Sequence, residues 1–72
     1  MRTIGIIIKE ERIAKNLKQS ELATMVGVTQ DSISLWEKDK RLPATQHIID
    51  LCKIFNISAD YLLGLVEEQA KK

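Results

Sequence analysis

Apolar residues recur along this chain at helical spacing, and the pattern divides it into five short segments. Ile4 and Ile8 are four apart and Arg12 continues their face. The run Ile4-Gly5-Ile6-Ile7-Ile8 is β-branched enough to suit a strand. The KEERIAK that follows is strongly helix-forming, so a first helix is expected, ending near Asn16, a residue that tolerates the left-handed conformation. A second helix begins near Lys18 or Gln19. Lys18 offers no acceptor oxygen and its charge opposes the helix dipole, so the start rests either on Glu21 reaching back to a free amide or on Ser20 capping a later start. Thr29 caps a third helix with Asp31 in its first turn, and Pro43 closes the loop after it. Thr45 is expected to cap a fourth helix with inward face Ile48, Leu51, Cys52 and Phe55, ended by Asn56. Ser58 caps a short fifth helix, 59–63, stopped by Gly64. Repeats, low-complexity tracts and internal linkers are lacking.

The most informative stretch is QSELATMVGVTQDSISLWEK, Gln19 to Lys38. Leu22 and Val26 lie one turn apart on the second helix, Ile33 and Trp36 share a face of the third, and Val28 closes the corner between them. Ala23 stands where the two backbones should approach most closely. Gly27 falls at the turn, where positive φ is needed at low cost. Seven matches in fixed register describe a helix-turn-helix, two short helices packed near a right angle. The same pattern also fits an αα-hairpin packed for stability alone.

Composition narrows the possibilities. With 72 residues the chain holds one small domain, 1–66, followed by a polar tail, 67–72. Apolar content of 44% with 29% charged residues is globular, and no signal peptide or membrane-length apolar run is seen, so a cytoplasmic location is expected. Cys52 is the only cysteine, which excludes an internal disulfide. Its register with Ile48 and Phe55 makes it core rather than nucleophile. His47 reads as a surface residue in the first turn of the fourth helix. No metal-ligand cluster, phosphate-cradling glycine loop or nucleophile-base pair is evident, so neither an enzyme nor a cofactor is expected. The net charge is only +1, so any basic surface must come from distribution: Lys38, Lys40 and Arg41 cluster after the third helix, while Glu10, Glu11, Glu67 and Glu68 lie elsewhere.

With these elements placed, LKQSELATMVGVTQDSISLWEKDKRLP and, downstream, IFNISADYLLG make the chain resemble the phage-repressor and Cro-like helix-turn-helix family, the XRE family, over residues 4–64. The resemblance implies an all-α, five-helix bundle of the lambda-repressor type with helices two and three forming the helix-turn-helix. It also implies a dimer that binds double-stranded DNA at palindromic operators and regulates transcription, as a repressor. By position, Gln19 matches a residue that bonds a DNA phosphate and braces the recognition helix. Gln30, Asp31, Ser32 and Ser34, after the cap Thr29, match the groove-facing positions. Arg12 and Glu37 match an ion pair joining helix one to the end of helix three. Lys38 and Asp39 stand where Asn-Gly is common, which leaves the turn there open, and Asn16 and Asn56 stand where Gly is usual.

The chemistry of these side chains gives each a role. Gln30 can donate and accept in the bidentate manner that suits adenine. Asp31 can accept from cytosine N4 or serve the start of helix three. Ser34 can reach base or phosphate. Leu35 fits either a thymine methyl or a groove rim without contact. Lys18, Lys38, Lys40 and Arg41 suit phosphates, with Gln19. One helix reads few bases, so a two-fold dimer on half-sites about 34 Å apart is expected. Its apolar patch is drawn from Ile57, Leu62, Leu65 and Val66, or from Ile6 and Ile7; the same C-terminal residues could instead cover the core. The rival reading is a protein-interaction module or antitoxin subunit on the same fold.

Overall fold

The computed structural model describes residues 2–66, and the tail expected over 67–72 lies outside them. Five helices follow in order: α1 Ile4–Ala14, α2 Gln19–Val26, α3 Gln30–Glu37, α4 Thr45–Phe55 and α5 Ala59–Leu62. No strand forms among the described residues. The β-branched start of α1 is helical because Thr3 caps it, its hydroxyl accepting from the Ile6 amide at 3.2 Å, and because Ile4, Ile7 and Ile8 all bury. Burial of three large side chains outweighs a propensity deficit of a few tenths of a kcal/mol per residue.

The core is one cluster to which every helix contributes: Ile4, Ile7 and Ile8 from α1, Leu22, Ala23 and Val26 from α2, Ile33 and Trp36 from α3, Leu51 and Phe55 from α4, Tyr61 and Leu62 from α5. Val28, Ile48, Cys52 and Ile57 pack against it in part. α3 packs on α2 and α1, while α4 and α5 close the opposite side against α1 and α2. Ahead of α1, the Arg2 guanidinium donates to the Tyr61 hydroxyl at 3.0 Å and pairs with Glu10, fastening the chain start to α5.

Four details differ from the sequence expectations. Ile7 and Leu62 are core residues at 1% and 0% exposure, so neither can belong to a docking patch; one face of α1 takes Ile7 and leaves Ile6 outside. Thr45 is the first residue of α4 and not its cap. Ala44 precedes it in an extended conformation, and its carbonyl accepts the first helical bond from the Ile48 amide at 3.0 Å, so backbone alone starts this helix. α5 ends at Leu62, with Leu63 as its C-cap. His47 is half-buried, its ring 5.3 Å from that of Trp36, and so is no simple surface residue.

α2 starts as its sequence allows. The Lys18 amide donates to the Glu21 carboxylate at 2.8 Å, half of a capping box that needs no acceptor on Lys18. At the other end of the core, Glu37 carries a buried carboxylate with three donors. Arg12 Nε and Nη2 donate to its two oxygens at 2.6 and 3.1 Å, and Gln19 Nε2 donates to Oε1 at 3.0 Å. A further Arg12 donor, Nη1, reaches the Leu17 carbonyl at 2.8 Å. Only 13% of the Arg12 side chain and 4% of that of Glu37 remain exposed.

Gly5 marks the closest approach of α1 to the end of α3. A Cβ there would lie 2.3 Å from the Trp36 carbonyl oxygen and 2.6 Å from the Asp39 carboxylate. Gly5→Ala should therefore destabilise the fold by about 1–3 kcal/mol through overpacking, seen as a lowered midpoint in thermal denaturation followed by circular dichroism. Glu37→Ala leaves the Arg12 charge unpaired at a nearly closed site. A loss of about 3–5 kcal/mol is expected in urea unfolding, enough to consume most of the stability of so small a domain.

Candidate nucleic-acid interface

The start of α3 is built by Thr29, whose hydroxyl accepts from the Ser32 amide at 3.2 Å and shares a hydrogen bond with the Ser32 hydroxyl at 3.1 Å. That arrangement decides the role of Asp31 at this terminus. The capping oxygen belongs to Thr29, so the exposed Asp31 carboxylate acts on the helix only through the dipole and keeps its acceptors outward. Gln30 is exposed beside it. Ser34 and Leu35 are half-buried, one turn further along, and Ile33 and Trp36 turn wholly inward. Neither Gln30 nor Ser34 has a side-chain hydrogen bond to another described residue, so both retain their full capacity for an external partner. Ser32, by contrast, has its hydroxyl engaged with that of Thr29.

Lys38, Lys40 and Arg41 are all exposed and follow α3 directly. Lys18, exposed, precedes α2. Gln19 is half-buried, with its amide nitrogen committed to Glu37 at the end of α3 and its oxygen free of that bond. The helix that exposes Gln30 is thus held at its far end by a side chain from the start of α2. Asp39, which sequence reasoning gave no role, takes φ 58°, the left-handed conformation that glycine would supply, and its carboxylate reaches back to α1. Its one sequence signal was its place where glycine is usual.

Other polar chemistry is sparse. Among the described residues no group of three His, Cys, Asp or Glu lies close enough to hold a metal ion, and no helix is long and apolar enough to cross a membrane. Cys52 is half-buried, and burial pushes its thiol pKa up, away from the thiolate that a nucleophile needs.

Residues 8–62 match the family model described as "Helix-turn-helix". The chain belongs to the helix-turn-helix family. It is 34% identical over 70 residues to the HTH-type transcriptional regulator ImmR of Bacillus subtilis, covering 97% of this chain and 54% of that protein. The chain thus spans about half the length of that curated relative. Among solved structures it is similar to the P22 c2 repressor protein in complex with a synthetic operator, with TM-score 0.84, 33% identity, and 88% of this chain and 96% of the other covered. That repressor comes from Salmonella phage P22. It is also similar to SinR in complex with DNA, with TM-score 0.77, 31% identity, and 85% and 98% covered; SinR is from Bacillus subtilis. The five-helix, all-α fold of the described residues matches these helix-turn-helix structures, as the XRE resemblance implied.

Proposed function

We propose that residues 1–66 form the DNA-binding domain of a cytoplasmic transcriptional regulator, acting as a repressor, that reads the major groove with α3. The observation that carries this is the 33% identity and 0.84 TM-score to a repressor bound to its operator, together with the outward Gln30 on this chain's own α3. Two kinds of contact divide the work, and neither involves a catalytic step. Lys18, Lys38, Lys40 and Arg41, with Gln19, Thr29 and the amides at the start of α3, hold phosphates and set the docking angle. Gln30 then reads an adenine edge, Asp31 a cytosine amine, and Ser34 and Leu35 a base or a thymine methyl beyond them. Ser32 serves chiefly to fix the helix start.

The domain is at most 30 Å long, whereas half-sites on one face of B-DNA repeat every 34–36 Å or so. One copy therefore reaches one half-site, and a two-fold dimer is needed for a selective operator. The surface for it lies after α5. Leu63, Leu65 and Val66 are 44%, 71% and 42% exposed. Leu65 follows the left-handed Gly64 that ends α5. Its counterparts after Asn16, Gly27 and Asn56 are Leu17, Val28 and Ile57, each of which packs on the core. Leu65 alone of these four apolar residues lacks that cover, and a second copy supplies it.

Selection from random duplexes, read by sequencing, should enrich a palindrome. Gln30→Ala should then relax preference at one position of each half-site by about 1–3 kcal/mol. No enrichment at low salt would favour a protein-interaction module. Leu65→Lys should reduce self-association in sedimentation, and association equal to wild type would exclude that residue from the dimer surface.

A further inference from the structure

Each of the five helices ends on a residue of positive φ: Asn16, Gly27, Asp39, Asn56 and Gly64. Each turn is closed by a backbone bond from the next residue back into the helix: Leu17 to the Arg12 carbonyl, Val28 to Ala23, Lys40 to Leu35, Ile57 to Cys52 and Leu65 to Asp60, all at 2.9–3.1 Å. In such turns the residue after the left-handed position usually makes an apolar contact back on the helix. Four of the five carry Leu, Val or Ile there. The end of α3 carries Lys40, which is exposed and gives no such contact.

What holds that turn instead is Asp39. Its Oδ1 accepts from the Gly5 amide at 3.0 Å, and its Oδ2 accepts from the Thr3 hydroxyl at 2.5 Å. The carboxylate sits against the positive end of the α1 dipole, where a negative charge is favourable. Gly5 makes room for it, since a side chain there would strike both Asp39 and the Trp36 carbonyl. A carboxylate is otherwise a poor choice at this place. It stands among Lys38, Lys40 and Arg41, it would repel phosphate, and at φ 58° a non-glycine residue is strained relative to glycine.

We infer that Asp39 is a positioning residue for DNA recognition: tethered to the start of α1, it replaces the apolar contact of the turn and so frees the next position for a cation aimed at phosphate. This rests on the reading that residues 38–41 face the DNA backbone. Phosphate contacts fix register and orientation, so a loosened turn harms specific binding more than non-specific binding. Asp39 thus exchanges some general attraction to DNA for a fixed docking geometry.

The test compares Asp39→Gly and Asp39→Asn with wild type, using the duplex enriched by selection and an unrelated duplex of equal length. Glycine keeps the left-handed turn but removes the tether; asparagine keeps an acceptor for the Gly5 amide and tolerates the same φ. For Asp39→Gly, affinity for the unrelated duplex should hold or rise as a negative charge is lost. The ratio between the duplexes should fall about tenfold, the size of one mispositioned base contact. The log–log salt dependence for the selected duplex should become shallower by about one, as for one lost phosphate contact. Asp39→Asn should retain most of the ratio, and hydrogen exchange at the Gly5 amide should be fast only in the glycine variant. A changed melting temperature with an unchanged ratio in Asp39→Gly would reduce the residue to a stability role and overturn the proposal. Equal ratios in the two variants would overturn it too, since charge alone would then be responsible. Failure of the wild-type chain to enrich any duplex would defeat the DNA-binding reading first and this inference with it.

Discussion

The carboxylate of Glu37 is the point through which three helices are fixed to one another. Arg12 comes to it from α1, Gln19 from α2, and Glu37 itself ends α3. An ion pair this well covered adds little over a well-packed apolar substitute, because desolvating both charges offsets most of their attraction. Its value is directional. Apolar contacts among Leu22, Val26, Ile33 and Trp36 would tolerate α3 sliding or rotating on α2, whereas three donors converging on one carboxylate accept few geometries. The side chain that opens α2 thereby sets the far end of the helix that exposes Gln30.

Helices of four to eleven residues have little stability of their own, since isolated helices below about 12–15 residues are marginal in water. Their ends matter correspondingly. Thr3, Thr29 and Ser58 supply capping oxygens, Glu21 supplies half of a capping box, and a left-handed residue stops every helix. The turns after α1, α2 and α4 are each pinned to the core by the apolar residue that follows. Only the turn after α3 is pinned by a charge reaching across to another helix, and only the turn after α5 leaves its apolar residue open. Both exceptions fall at surfaces that the proposed function gives to partners, DNA in one case and a second copy in the other.

Features governed by neighbours in sequence were legible before any coordinates: the α2–α3 register, Gly27 at the corner, Thr29 and Ser58 as caps, Asn16 and Asn56 as terminators. The Arg12–Glu37 pair came from the family resemblance, since nothing in local spacing links positions 25 apart. The four-residue spacing put Ile4 and Ile8 on one face, but Ile6 and Ile7 between them were grouped as one patch; packing buries Ile7 and leaves Ile6 outside. Thr45 was a reasonable cap by residue type, yet Ala44 already supplies the carbonyl that starts α4. Asp39 was illegible for the deeper reason that its partners, Thr3 and Gly5, lie 36 and 34 positions away. At the site itself, the outward place of Gln30 came from the family resemblance and the basic run from the clustering of charge just after α3, whereas the commitment of Ser32 to Thr29 had no signal in the sequence.

The net charge of +1 bears on how such a surface can work. At physiological salt, exposed charges are screened beyond about 8 Å, so a nearly neutral domain gains little long-range attraction to DNA and must rely on cations at contact distance. Four or so well-placed phosphate contacts give a moderate salt dependence, and non-specific binding then stays weak. In that regime selectivity depends less on how many lysines the surface carries than on how rigidly each is held. A more basic domain could tolerate a loose loop; in the proposed function, Glu37 fixes the helix that exposes Gln30 and Asp39 fixes the turn after it.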